Sequence, residues 1–148
     1  MPELKNTRFG TLQFNEDDVV TFHEGLIGFG YCSRFIIIST ENKETFRWLQ
    51  SLEEPSLAFL VVDPCSYVEN YSIELADDEA NSLNIGAETA TMIFTTASIP
   101  ANKPHDMTIN LAGPIVINAE DRLGRQLVVD DEAYAVKHRV FSETARAA

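Results

Sequence analysis

The sequence predicts a mostly β protein, a single antiparallel β-barrel-like domain over residues 1–148 with one or two short helices. Three observations lead there. Short runs of β-branched and aromatic residues recur along the chain, about eight or nine of them, each bounded by turn chemistry. Helical patterning is persuasive in only one short stretch near Asp77. The 148 residues, 45% hydrophobic and including 9 Phe, can fill one core but would leave two domains marginal. A barrel is favoured over a sandwich because closure removes exposed strand edges.

The first clear strand is Val19-Val20-Thr21-Phe22. A glycine-punctuated segment follows, Glu24-Gly25-Leu26-Ile27-Gly28-Phe29-Gly30, whose glycines supply positive φ angles for a turn between strands. It has neither a GxxxxGK pattern nor a strand–GxGxxG–helix context, and no Lys, so nothing in it asks for phosphate. Phe35-Ile36-Ile37-Ile38-Ser39 comes next, then a polar Glu41-Asn42-Lys43-Glu44 turn and the strand Phe46-Arg47-Trp48-Leu49-Gln50. Leu57-Ala58-Phe59-Leu60-Val61-Val62 is apolar on both faces, as a central strand is, and Asp63-Pro64 stops it.

Asp77 is placed to cap a short helix through Ala80, Ser82 and Leu83, with Asp78 and Glu79 in its first turn. The strand signals then resume at 90–96, at Met107-Thr108-Ile109-Asn110-Leu111, at Ile115-Val116-Ile117-Asn118 and at Gln126-Leu127-Val128-Val129. Leu123-Gly124 marks a tight turn before the last of these.

Charge narrows the function classes. The chain carries 11 Lys and Arg against 23 Asp and Glu, a net −12, so its body repels phosphate backbones and direct nucleic-acid binding is disfavoured. The N-terminus has no basic region followed by an apolar run, and no apolar stretch approaches the roughly 20 residues of a membrane span, so a cytoplasmic location is expected, without membrane contact. Cys32 and Cys65 stand without CxxC spacing and read as small apolar side chains.

Catalytic patterns are missing. His23, His105 and His138 lack metal-ligand spacing, there is no GxSxG elbow, and the acid pairs Glu53-Glu54, Asp77-Asp78 and Asp130-Asp131 read as solvated faces. No catalytic residue, metal or cofactor is therefore expected. Asn110 and Asn118 are odd inside apolar runs; the plain reading is amides satisfying backbone groups at strand ends, with Arg47 on the solvent face beside Phe46 and Trp48.

Several phrases in fixed order carry a resemblance. They are Thr7-Arg8-Phe9-Gly10, Thr21-Phe22-His23-Glu24-Gly25-Leu26-Ile27-Gly28-Phe29, Arg34-Phe35, and Trp48-Leu49-Gln50-Ser51-Leu52-Glu53-Glu54-Pro55-Ser56-Leu57-Ala58-Phe59. Val62-Asp63-Pro64, Asn110-Leu111-Ala112-Gly113-Pro114-Ile115-Val116-Ile117-Asn118 and Gly124-Arg125-Gln126-Leu127-Val128 complete the set. Together they resemble the flagellar assembly factor FliW family over essentially the whole chain. His23 and Ile27 stand where that family commonly has proline, and Gly113 interrupts a phrase more often seen as Ala-Pro-Ile-Val-Ile-Asn.

The resemblance implies a non-enzymatic protein with two partners, and a monomer is the simpler expectation. One is flagellin, bound in the cytoplasm; the other is the RNA-binding translational repressor CsrA, bound once flagellin has been exported and antagonised without competition for the RNA site. An acidic body docked beside a basic RNA groove lowers the potential that attracts phosphate, but screening limits its reach to roughly 8 Å, so the acids must lie close to the RNA path. Glu16, Asp17, Asp18, Glu53, Glu54, Asp77, Asp78 and Glu79 are the candidates for the CsrA side. An exposed apolar patch for flagellin's amphipathic terminal helices would draw on Phe29, Tyr31, Tyr67 and Tyr71. The rival class is a small β-barrel ligand-binding protein or hydrolase, which requires a polar-lined cavity inside the barrel.

Overall fold

The structure, a computed structural model, describes residues 2–40 and 43–140, so Glu41 and Asn42 of the expected turn lie outside it. The strands are β1 (Glu3–Thr7), β2 (Gly10–Gln13), β3 (Val20–Thr21), β4 (Arg34–Thr40), β5 (Lys43–Ser51), β6 (Ala58–Val62), β7 (Thr91–Ser98), β8 (Thr108–Ile109), β9 (Ile115–Asn118), β10 (Leu123–Gln126) and β11 (His138–Arg139). One short helix, α1 (Asp77–Ser82), lies between β6 and β7.

Seven strands close into a barrel in the order β3-β4-β5-β6-β7-β9-β10, and the ring shuts where β10 meets β3. Every pairing in the ring is antiparallel except that last one, which is parallel and a single residue pair long, Leu123 against Thr21. Parity requires it: directions cannot alternate all the way round a ring of odd strand number. β8 and β11 extend the sheet from the far end of β7, and β1 with β2 forms a separate hairpin.

The barrel interior is apolar and filled. Val20, Phe22, Leu26, Cys32, Phe35, Leu49, Val61, Phe94, Ile115 and Ile117 form one cluster, with Phe22 edge-on to Phe35 at 5.4 Å. Burying each such Phe contributes about 2–3 kcal/mol. Two further clusters lie outside the wall: Val62, Tyr71, Met107, Ile109 and Leu111 in one, Leu83, Val116 and Leu127 in the other. β9 is consequently buried at all four residues, with Ile115 and Ile117 facing inward and Val116 outward, which accounts for its unbroken apolar run.

Several boundaries depart from the sequence reading. Leu123-Gly124 is not a turn but the start of β10; the chain reverses before it, at Arg122 with φ +56°, where the Asn118 side chain accepts from the Glu120 and Asp121 N–H groups at 2.9 and 3.0 Å. Of 126–129 only Gln126 remains in a strand, because Leu127 turns out to pack with Leu83 and Val116. Ala76, not Asp77, precedes the helix; Asp77 is its first residue, and the Glu79 carboxylate accepts the Ala76 N–H at 2.9 Å. Arg47 does not lie on the solvent face: it pairs directly with fully buried Val61, so both share the inward face, and Arg47 is half-buried.

The β1–β2 hairpin, unforeseen because its residues are mostly polar, turns at Thr7-Arg8-Phe9-Gly10. The Thr7 hydroxyl donates to the Gly10 carbonyl at 2.6 Å and accepts the Phe9 N–H at 3.0 Å. This turn sets the Arg8 guanidinium 4.0 Å from the Trp48 ring centre and Phe9 edge-on to the same indole at 5.6 Å.

Candidate partner-binding surface

The glycine segment between β3 and β4 forms a fixed loop at one end of the barrel. Gly25 has φ +68°, and a Cβ there would sit 2.6 Å from Gly30 Cα and 2.8 Å from the Phe29 carbonyl, so only glycine fits. Leu26 plugs into the core at 3% exposure, and Phe29 is half-buried, edge-on to Phe59 at 5.0 Å. Between these anchors Ile27 is left 59% exposed, and just after them Tyr31 is 64% exposed.

Polar side chains hold the loop from both flanks. The Ile27 N–H donates to Gln126 Oε1 at 2.9 Å, while Gln126 Nε2 donates to the Gly113 carbonyl at 2.9 Å. A Cβ at Gly113 would meet the Asn110 and Gln126 amide nitrogens at 2.8 and 3.0 Å, so the glycine that breaks the family phrase matches the space left by these two amides. On the other flank the Glu53 carboxylate accepts the Ser33 N–H (3.1 Å), the Ser33 hydroxyl (2.9 Å) and the Arg34 N–H (3.1 Å). Partial burial pushes the Glu53 carboxyl up, and these hydrogen bonds together outweigh it and hold it below the ordinary carboxylate value.

The chain of contacts continues outward. A hydrogen bond to the Glu54 carboxylate raises the Tyr31 phenol, and Arg34 pairs with Glu16 on the 3-10 turn Glu16–Asp18. Asn15 caps that turn, accepting the Asp17 N–H at 2.9 Å, and leaves Asp17 and Asp18 exposed. Phe29, Tyr31, Glu53 and Glu54, drawn from both expected sets, therefore gather at the loop end of the barrel, and Glu16 is tied to them through Arg34. Asp17 and Asp18 stand before β3, where Arg122 donates to the Asp18 carbonyl at 2.8 Å, at the other end of β10 from the Gln126 that holds Ile27.

The remaining expected residues lie elsewhere. Asp77 and Asp78 are exposed on α1, and Glu79 borders a groove of about 400 Å³ with Glu74, Asp130 and Asp131. Tyr71 is a core residue rather than an exposed aromatic, at 6% exposure; its hydroxyl donates to the Leu111 carbonyl at 2.7 Å and its ring lies 4.6 Å from Tyr134. Burial pushes its phenol up to about 12. Tyr67 packs half-buried against the same cluster. These tyrosines face inward because the segment after β6 folds back over Val62 on the outside of the barrel wall, a second core layer that strand patterning does not reveal. Ile27 and Gln126 are not among the expected residues; the available signal for the first was a Leu-Ile pair between Gly25 and Gly28, of which only one can plug the core.

Among the described residues no three His, Cys, Asp or Glu converge as metal ligands, and no helix is long and apolar enough to cross a membrane. The barrel interior, where a ligand carrier or hydrolase would need a polar-lined pocket, holds Phe22, Phe35, Ile115 and Ile117 at 0% exposure.

Comparison with known proteins gives consistent results. The family described as FliW protein matches residues 3–140. The flagellar assembly factor FliW of Caldanaerobacter subterraneus subsp. tengcongensis is 38% identical over 98% of this chain and 97% of its own length. That of Magnetococcus marinus is 35% identical over 97% of this chain and 88% of its own. A crystal structure of the flagellar assembly factor FliW superposes with a TM-score of 0.87 at 32% identity, covering 96% of this chain and 99% of that one.

Proposed function

The chain belongs to the FliW family and is by that kinship a flagellar assembly factor, and from this premise we propose that it works solely by binding other proteins. In this reading it acts as a cytoplasmic monomer, one domain over 1–148. It holds flagellin before export and, once free of flagellin, binds CsrA and weakens its grip on RNA without occupying the RNA site, which relieves repression of flagellin translation.

One observation carries the reading. Exposed Ile27 and Tyr31 stand on a loop locked by Gln126 and Glu53, with the Glu54 carboxylate beside Tyr31 and the Glu16–Arg34 pair next to Glu53. An apolar centre on a rigid loop suits the apolar face of an amphipathic helix, and a carboxylate rim suits a basic partner. Because both lie in one patch, the two partners exclude each other in this reading.

Calorimetric titration with CsrA, with and without saturating flagellin, tests it. Mutual exclusion supports the switch; simultaneous binding of both partners overturns the shared patch, and absence of any CsrA binding by a folded sample removes the regulatory role. Asp17→Lys with Asp18→Lys should abolish CsrA antagonism while leaving the fold intact. Glu53→Lys is unsuitable for that purpose, because Glu53 holds the loop together.

A further inference from the structure

The barrel wall is open where β7 outruns β6. β6 ends at Val62, opposite Thr95, yet β7 begins four residues earlier at Thr91. Over Thr91–Phe94 the other edge of β7 is paired with β9, while no described strand lies beside them on the β6 side. β5 likewise starts at Lys43, beyond its last partner on β6, Val62 against Phe46. A continued β6 would have filled the gap, but Asp63-Pro64 turns the chain into a 3-10 turn at Pro64–Ser66, and Pro64 has no N–H to donate.

The direction of the backbone groups follows from the ladder. The Ala90 carbonyl accepts from Ala119 N–H at 2.9 Å and the Thr96 carbonyl from Asn110 N–H at 3.0 Å, so even-numbered residues of this stretch point towards β9 and β8. Alternation then aims the N–H and C=O groups of Thr91 and Ile93 into the slot. The slot itself is a depression of about 600 Å³ lined by Arg47, Asp63, Cys65, Ser66 and Thr91–Phe94, with the Pro64–Ser66 turn packed near β7. Its floor carries Met92, which packs against the interior core, and Phe94, which belongs to it.

We propose that this slot is a strand-addition site, which takes a short extended segment of a partner protein between β5 and β7, antiparallel to β7. The donors and acceptors of Thr91 and Ile93 read the segment's backbone, in the manner of sheet-edge recognition. Four β7 residues span roughly 13 Å at about 3.3 Å per residue, room for a segment of similar length. Residues opposite Thr91 and Ile93 point outward, and the one between them points inward beside Met92 and Phe94, so that position takes a small apolar side chain. The slot's own lining carries one charge of each sign, Arg47 and Asp63, so the host's net −12 decides the preference, for a segment flanked by lysines over an acidic one.

The probe is the amidated, N-acetylated pentapeptide Lys-Thr-Val-Thr-Lys, added to the full chain, with a twin N-methylated at the threonine opposite Ile93. Binding in the millimolar range is expected, with slowed amide exchange at Thr91 and Ile93 and slower alkylation of Cys65, the exposed one of the two free thiols. The methylated twin should bind at least tenfold more weakly, and Ser66→Trp, which fills the slot from an exposed position, should abolish binding with the circular dichroism unchanged. Equal binding of the twin, protection elsewhere, or no binding at millimolar peptide to a folded sample would overturn the site. So would a concentration-dependent dimer that Ser66→Trp disperses, because the slot would then hold a second copy. None of these outcomes depends on whether flagellin or CsrA binds at the glycine loop.

Discussion

Asn118 is fully buried at the end of β9, and its amide works in two directions. Its NH2 donates to the Leu83 carbonyl at 2.8 Å, and its carbonyl accepts the Glu120 and Asp121 N–H groups, so one side chain ties the end of α1 to the turn before β10. Asn118→Ala strands these groups at once. At about 1–3 kcal/mol per unsatisfied buried group, partly relieved by water, a loss of about 3 kcal/mol is expected in urea denaturation. Glu53 supplies a pH dependence instead. Its carboxyl lies below its ordinary value of 4.5 in the folded chain, so the unfolded chain binds the proton first and stability falls as pH drops from about 4.5 through the folded value. Glu53→Gln should remove that slope: the wild type's advantage, present at neutral pH, should shrink on acidification below about pH 4.5 when both are followed by denaturant titration.

At the scale of elements, two glycines show where backbone space is fixed by packing. The Phe22 ring lies 2.5 Å from where a Gly124 Cβ would stand, so β10 approaches β3 only because it is bare at that point. Gly124→Ala should cost about 1–3 kcal/mol by overpacking, measurable as a lower urea midpoint with unchanged slope. Gly25→Ala is expected to act on function: its positive φ and the closed contact with Gly30 shape the loop that presents Ile27 and Tyr31. Binding to flagellin and to CsrA should fall together, at least tenfold, in calorimetry. Legibility in the sequence follows from the same packing. Ile115–Asn118 was readable to the residue because Pro114 precedes an apolar run that is buried on both faces. The β1–β2 hairpin was not, since Leu4 and Leu12 are its few half-buried apolar residues and Arg8 and Phe9 spend their contacts on distant Trp48. Leu127 looked like strand for the opposite reason, an apolar residue buried outside the barrel wall. Of the expected site residues, sequence order brought Phe29 close to Tyr31 and Glu53 to Glu54. Only the closed barrel shows that these pairs meet, and that Tyr71 belongs to a core.

For the molecule as a whole, net charge sets how association responds to conditions. A body at −12 meeting a basic partner should associate faster at low salt, and the on-rate for CsrA should fall severalfold between about 50 and 300 mM NaCl in stopped flow while the off-rate changes little. The charge reversal Asp17→Lys with Asp18→Lys should flatten that dependence. The single parallel pair between Thr21 and Leu123 has a different consequence, one of timing. About a hundred residues separate the two partners, so the ring cannot shut until nearly the whole chain has left the ribosome. Until then β3 and the wall strands made with it have an open side. Contacts this distant in sequence make for folding in milliseconds to seconds rather than microseconds. The nascent protein would thus spend its first moments as an incomplete sheet, with its aggregation risk concentrated before Leu123 is synthesised.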